Sequence, residues 1–197
     1  MKGSILLCGV GGMGILKASE IIAEVLLQKG LSVRQSEVHG MAQRGGSVVT
    51  HLRFGEEVYA PLLVKGEADF MLAFEEMEAL RYLPYLKKGG TILLNTFRFF
   101  PPGTETRRYP QEVPTILKKA GFALLPVNAT AISLKLGDSR FTNVVLLGAF
   151  SRVFFVDDPT LWREAMEKTL AEKNLAKNLQ AFEEGRQCAE RLYSPVV

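Results

Sequence analysis

Both histidines of this 197-residue chain lie in one stretch, HGMAQRGGSVVTHLRF at residues 39–54, beside polar and basic neighbours. His39, Gln43 and Arg44 fall in its glycine-rich first half, where a loop would present them to a ligand. The planar guanidinium of an arginine in such a loop can clamp a carboxylate or a phosphate. His39 and Arg44 are therefore candidate catalytic groups. His51 falls in the second half, where a lone strand histidine is typical of a hydrogen-bonded structural residue.

The glycine-rich half of this stretch has two interpretations. In one, its polar residues face a ligand at the carboxyl ends of the strands, where open α/β sheets bind their ligands. In the other, Gly45 and Gly46 form a β-turn and the polar residues are a solvated rim. The first is favoured because the loop would adjoin an anion-binding turn. His39 and His51 are not at a familiar metal-ligand spacing and no third ligand is evident, so we assign no metal site.

A glycine motif, GVGGMG at residues 9–14, follows an apolar run and precedes a helical pattern. In this setting Gly9 permits a tight turn, Gly11 lets the backbone approach a phosphate, and Gly14 lets helix and strand pack closely. Free N–H groups at the helix start attract an anion, which gains roughly 0.3–1 kcal/mol from the helix dipole. The motif predicts a binding turn. The residues assigned to cofactor binding are Gly9, Gly11, Gly12, Gly14, Gln43 and Arg44.

A dinucleotide site is the main alternative for this motif. Glu37 lies 23 residues beyond Gly14, so its carboxylate could hold the ribose hydroxyls of a nicotinamide cofactor. The chain would then be an independent NAD(P)-binding dehydrogenase. A simple Rossmann turn would soon continue into a helix, whereas here a glycine-rich loop and a hairpin intervene, and NAD binding is therefore the less favoured interpretation.

Apolar periodicity predicts that strands and helices alternate along the chain. Residues 4–10 form a continuous apolar run, typical of a central strand buried on both faces, and a helical pattern follows and ends at Gly30. A hairpin is predicted from residues 47–54, a turn at 55–57 and a return strand at 58–61. The alternation continues with strands at 68–74, 91–96 and 122–129 and helices at 75–90 and 112–121.

The rest of the chain completes an α/β pattern. Residues 98–111 carry three prolines and predict an irregular surface connection. From Asp157 onward the sequence is charged and helical, and Asp157 or Asp158 before Pro159 is a natural helix start. We expect a single three-layer Rossmann-like α/β domain over residues 1–197, with a mostly parallel sheet, an inserted β-hairpin and a C-terminal helical extension at about 157–193.

Composition limits the function classes. The net charge is +3, and basic and acidic residues are interspersed, which argues against nucleic acid as a partner. Cys8 and Cys188 lie far apart and outside any CxxC pair, which indicates a reducing compartment. The first apolar run is too short for a signal peptide, and the later run VVLLGAFSRVFFV is too short for a membrane span. We expect a cytoplasmic protein without a membrane segment.

Several motifs of enzymatic chemistry are missing from the sequence. The Gly-Asp pair at residues 137–138 lacks the remainder of a thiamine diphosphate motif, no cysteine cluster could hold an iron–sulfur centre, and no GxSxG pattern marks a hydrolase. By itself, the chain therefore carries few of the sequence motifs that catalysis would require.

Four segments together resemble the gamma-type domain of the 2-oxoacid:ferredoxin oxidoreductases. They are GVGGMG at 9–14, EVHGMAQRGGSV at 37–48, TNVVLLGA at 142–149 and NLAKNLQAFEEG at 174–185. The resemblance covers nearly the entire chain and is closest to the small beta subunits of the indolepyruvate branch. The HGMxQRGGSV string is its specific part, because a glycine motif alone occurs in many unrelated proteins.

The resemblance implies a division of labour between subunits. A large alpha subunit would carry thiamine diphosphate and iron–sulfur clusters, and the complex would convert indolepyruvate or another aryl pyruvate and coenzyme A into an aryl acetyl-CoA and carbon dioxide while reducing ferredoxin. This chain would hold no metal and would be inactive alone. Gly11, Gly12 and Gly14 with Arg44 would form an anion site for the phosphates of the co-substrate coenzyme A or for the substrate carboxylate.

One residue departs from the family pattern. The family commonly has Gln after the Gly-Gly pair, whereas this sequence has Met13, which removes an amide that could touch a ligand or partner. Backbone anion binding would survive that change. A third interpretation treats the chain as a pure assembly module whose glycine turn binds nothing.

Overall fold

The computed structural model describes residues 1–40, 45–100, 109–154 and 157–193. Within that part of the chain, one six-stranded sheet has helices on both faces. The strands are β1 (Gly3–Val10), β2 (Ser32–His39), β3 (Ser47–Gly55), β4 (Ala68–Ala73), β5 (Leu86–Asn95) and β6 (Ala123–Val127). The helices are α1 (Ile15–Gln28), α2 (Glu76–Tyr82), α3 (Val113–Lys119), α4 (Ala129–Lys135), α5 (Thr142–Val153), α6 (Pro159–Thr169) and α7 (Leu175–Tyr193).

The strand order is β2-β3-β1-β4-β5-β6. β3 is antiparallel to both of its neighbours, and the strands from β1 to β6 across β4 and β5 pair in parallel. The first strand of the chain is therefore central, as its apolar sequence predicts. This arrangement confirms the expected Rossmann-like α/β class with a mostly parallel sheet.

The inserted hairpin consists of β2 and β3, and His39 pairs with Val48 next to its connecting loop. The return strand predicted at 58–61 is wrong, because those residues lie outside any strand. Both edges of β3 are taken, one by β1 and the other by β2, so a third strand cannot pair with it. The glycine-rich stretch therefore connects two paired strands at the end of the sheet where β1 also ends.

The helix predicted at 75–90 is shorter than its sequence pattern indicates. α2 ends at Tyr82, a 3₁₀ turn spans Leu83–Tyr85, and β5 begins at Leu86. Pro84 lies in that turn, and a proline lacks the N–H that would continue a helix. Leu86 instead joins the sheet and pairs with Ala68 of β4.

Alternate residues of the strands supply two separate cores. Helices α1, α5, α6 and α7 cover the first face, where Leu7 of β1 and Ile21 of α1 are completely buried. Helices α2 and α3 cover the second face, where Leu6 of β1 and Met71 of β4 are buried. Each fully buried side chain of this size contributes about 1.5–3 kcal/mol. The two cores explain the continuous apolar run of β1.

The C-terminal helices α6 and α7 lie on the first face, where α7 packs against α5. α6 begins at Pro159, and the Asp158 carboxylate accepts a hydrogen bond from Thr160 N (3.0 Å), which confirms the predicted helix start. α5 and α7 cross so closely that a Cβ on Gly148 would overlap the carbonyl oxygen of Phe182. Among the described residues, no helix combines the length and the apolarity that a membrane span requires.

Candidate functional site

Gly9 and Gly14 have different roles in the glycine motif from those the sequence suggests. Gly9 lies inside β1, so the prediction that it permits the turn is wrong. A Cβ on Gly9 would lie 2.7 Å from Phe74 Cβ and 3.0 Å from Ile15 Cδ1. Gly9 therefore provides the close packing of strand and helix that the sequence assigns to Gly14.

The turn itself depends on Gly12 and Gly14, which have positive φ values of 102° and 76°. Gly14 is the residue before α1 and gives that helix no side-chain cap, so N–H groups of its first turn lack a local side-chain acceptor. A Cβ on Gly14 would meet Asn143 Nδ2 at 2.6 Å, whereas a Cβ on Gly12 would meet nothing within 4 Å. Gly12 therefore faces open space, where a ligand can approach the backbone.

The hairpin loop is bonded directly to the glycine turn. Gly11 N donates to Gly46 O (2.8 Å), and Gly45 N donates to Gly11 O (3.4 Å). The loop thus adjoins the turn, as the sequence analysis expects. Because the Gly11 amide is already used, an anion at this turn would have to be held by other N–H groups at the start of α1.

A cavity of about 300 Å³ opens between the turn, the start of α1 and the end of the hairpin. Glu37 and His39 stand on the same side of β2, and Nδ1 of His39 lies 3.1 Å from Oε1 of Glu37. The His39 side chain is 58% exposed. The lining residues are Gly11, Gly12, Gly14, Ile15, Leu16, Glu37, His39 and Val48.

The structure brings together only part of the predicted site. His39 and three of the four motif glycines line the cavity, and Gly9 packs beneath it. Gln43 and Arg44 lie outside the described residues. Met13 packs against the core of the first face.

Three buried carboxylates at the same edge of the sheet were not singled out by sequence reasoning. Glu75, Glu76 and Glu78 follow β4 and are at most 4% exposed. Tyr109 donates to Glu75, and burial first and this carboxylate second raise the pKa of the phenol. The available signal was the position of EEME directly after a buried strand, because side chains that follow parallel strands gather at the ligand-binding edge.

His51 lies away from this edge, on the second face of the sheet. Its Nδ1 accepts a hydrogen bond from Leu63 N (3.2 Å), and its ring makes an edge contact with Tyr85. These contacts confirm the structural role predicted for His51. In the described parts of the chain, no group of three or more His, Cys, Asp or Glu residues is arranged to hold a metal ion.

Comparison with known proteins identifies the family. Residues 4–188 match the family described as pyruvate ferredoxin/flavodoxin oxidoreductase. The chain belongs to this family. An indolepyruvate oxidoreductase subunit IorB from Archaeoglobus fulgidus is 42% identical over 193 residues, which cover 94% of each chain. The resemblance drawn from the four sequence segments is thereby confirmed.

Solved structures related to this family share the fold. The gamma subunit of a keto/oxoacid ferredoxin oxidoreductase from Geobacter sulfurreducens has a TM-score of 0.73 and 23% identity, over 96% of this chain and 99% of that one. A 2-oxoglutarate:ferredoxin oxidoreductase from Magnetococcus marinus, with 2-oxoglutarate, coenzyme A and succinyl-CoA bound, has a TM-score of 0.77 and 24% identity. That match covers 98% of this chain and 32% of the longer one.

Proposed function

We propose that this chain is the small subunit of an indolepyruvate:ferredoxin oxidoreductase. The observation that carries the proposal is the 42% identity to the Archaeoglobus fulgidus indolepyruvate oxidoreductase subunit along 94% of both chains. The complex would oxidatively decarboxylate indolepyruvate or another aryl pyruvate. Carbon dioxide leaves, the acyl group forms a thioester with coenzyme A, and the two electrons released reduce ferredoxin.

The small subunit would act together with a larger alpha subunit. That partner would supply thiamine diphosphate and iron–sulfur clusters, as the resemblance to the family implies. The two cysteines of this chain are fewer than the four that such a cluster commonly takes. We infer that this chain is inactive alone. Its two free cysteines also support a reducing compartment, the cytoplasm.

The cavity at the glycine turn is the proposed contribution of this chain to the site. N–H groups at the start of α1, a helix of 14 residues, favour an anion through the helix dipole. Among the described residues that line the cavity, Glu37 is the one carboxylate, and its Oε1 lies 3.1 Å from Nδ1 of His39. Gly12 and Gly14 with Gln43 and Arg44 would receive coenzyme A phosphates or the substrate carboxylate, and Gly11, whose amide bonds Gly46, would line the site.

The test is to express the chain with its larger subunit and compare Arg44→Ala with Arg34→Ala. Arg34 is exposed on β2 outside the cavity lining and serves as the matched control. We expect Arg44→Ala to raise one KM roughly ten- to a hundredfold, because a charge-assisted hydrogen bond contributes about 1.5–3 kcal/mol. A raised KM for coenzyme A assigns the site to its phosphates, and a raised KM for the 2-oxoacid assigns it to the carboxylate.

Two outcomes would contradict the proposal. If Arg44→Ala changes neither KM, the turn is an assembly contact rather than an anion site. If the isolated chain binds NADH tightly and loses that binding in Glu37→Ala, the chain is an independent NAD(P)-binding dehydrogenase. Glu37 does line the cavity beside the glycine turn, as a dinucleotide site would require, so this titration is a direct comparison.

A further inference from the structure

The start of α2 is connected to two segments, one of which is bonded to the glycine turn. One is the hairpin segment at residues 45–47, which is bonded to Gly11. The other follows β5 and consists of residues 97–99 together with 109–111. Contacts from Glu75, Glu76 and Glu78 reach both segments.

Among the described residues, Glu75 accepts more hydrogen bonds than Glu76 or Glu78 does. It is 1% exposed, and its Oε2 accepts from Glu78 N (3.0 Å), which caps α2. Its Oε1 accepts from Phe99 N (3.0 Å) and from the Tyr109 hydroxyl. The Tyr109 oxygen in turn accepts from Met77 N (2.9 Å). One side chain thus joins the helix start to both parts of the segment after β5.

The other two carboxylates extend the connection in both directions. Oε2 of Glu76 accepts from Arg98 Nε (2.8 Å), which fixes the residue before Phe99. Oε2 of Glu78 accepts from the Ser47 hydroxyl, at the first residue of β3. Glu78 therefore holds the hairpin segment, and Glu75 and Glu76 hold the segment after β5.

The two segments lie next to each other beside the turn. A Cβ added to Gly45 would lie 3.7 Å from the ring of Phe99, so this ring faces Gly45. Gly45 and Gly46 are in turn bonded to Gly11. Glu75 is therefore bonded to Phe99, whose ring lies beside Gly45, and Gly45 is bonded to the glycine turn.

We propose that Glu75 and Glu78 are positioning residues that hold these two segments in the arrangement that the ligand cavity requires. The inference rests on the proposed function in one respect, because the cavity must take a ligand for its shape to matter. Glu75 suits this role because a carboxylate accepts at both oxygens. A glutamine would turn one oxygen into a donor facing another donor, the N–H of Glu78.

The first test follows amide hydrogen exchange in the full chain carrying Tyr109→Phe. This variant keeps the ring and removes one donor to Glu75 and the acceptor for Met77 N. We expect the Phe99, Met77 and Gly45 amides to exchange about tenfold faster, while amides in the core of β1 and β4 are unchanged. Tyr59→Phe is the matched control, because Tyr59 is 86% exposed and donates to the exposed Glu57.

The second test uses the complex with the larger subunit. Tyr109→Phe and Glu75→Gln should raise the KM that depends on Arg44 by about tenfold and leave kcat within about twofold, since the chemistry lies elsewhere. Uniformly faster exchange across the sheet, or unchanged KM values in Tyr109→Phe, would overturn the inference. An Arg44→Ala variant with normal KM values would instead contradict the proposed ligand, and the exchange pattern of Tyr109→Phe does not depend on that result.

Discussion

His51 illustrates how a single residue can stabilise this fold by remaining uncharged. Its Nδ1 accepts from Leu63 N, and an acceptor at Nδ1 requires a neutral ring whose one proton is on Nε2. Burial first, and the charge of Arg53 second, lower the pKa of His51 below its ordinary value of 6.5. The neutral imidazole thus holds the segment after β3 against the second face of the sheet.

The lowered pKa of His51 predicts that the stability of the fold depends on pH. The folded pKa is depressed, so the stabilising contribution of His51 is fully present above pH 6.5 and is lost as the pH falls from there toward the folded pKa. We expect the free energy of unfolding to fall more steeply between about pH 7 and pH 5 in the native chain than in His51→Gln. Urea unfolding at both pH values measures the difference, and parallel pH profiles would contradict the assignment.

The role of a residue can be predicted from the sequence where that residue type usually has one role in such a local context. The strand histidine His51 is such a case. Glu75 was missed because its partners Phe99 and Tyr109 lie 24 and 34 residues further along the chain. Gly9 was misassigned because its close neighbour Phe74 comes from another strand region. Contacts of this range are set by topology, which residue spacing does not contain.

At the scale of elements, the pairing of α5 with α7 depends on two glycines. A Cβ on Gly185 would overlap the carbonyl oxygen of Val145, and one on Gly148 would overlap that of Phe182. The two helix backbones are therefore in direct contact. Neither glycine is required by its own φ, so the reason for each lies in the opposite helix.

We expect Gly148→Ala and Gly185→Ala each to destabilise the chain by about 3 kcal/mol or more, the upper range for overpacking. The added methyl group meets backbone atoms, which cannot move aside as a flexible side chain would. Gly40→Ala is the matched control, because a Cβ there meets nothing within 4 Å and its φ is not positive. Chemical denaturation measures all three, and equal losses for Gly40 and Gly148 would refute this account of the crossing.

Periodicity predicted the existence of most elements but not which strands are neighbours. The hairpin was assigned to residues 47–54 and 58–61, whereas β3 pairs with the strand before it. Both arrangements place apolar residues on alternate faces equally well. In the structure, β1 lies between β3 and β4, and the remaining edge of β3 pairs with β2.

At the scale of the whole molecule, topology places every proposed functional segment at one edge of the sheet. The strands β1, β2, β4 and β5 run in the same direction, so the segments after them meet there. The antiparallel β3 carries the chain back and leaves His51 remote from that edge. In the Magnetococcus marinus enzyme, the matching region occupies 32% of a longer chain. The same fold therefore occurs both as a separate chain and within a larger polypeptide.

The burial of Cys8 in β1 gives the molecule a built-in probe of global opening. Its thiol is completely buried in the central strand, and burial first, followed by Glu78 and Glu75, raises the pKa of Cys8. Alkylating reagents react with an accessible thiolate, so labelling requires β1 to leave the sheet. In a Cys188→Ala chain, we expect the labelling rate of Cys8 to follow the unfolding equilibrium as urea is added. Rapid labelling without urea would mean that the central strand opens much more readily than its burial indicates.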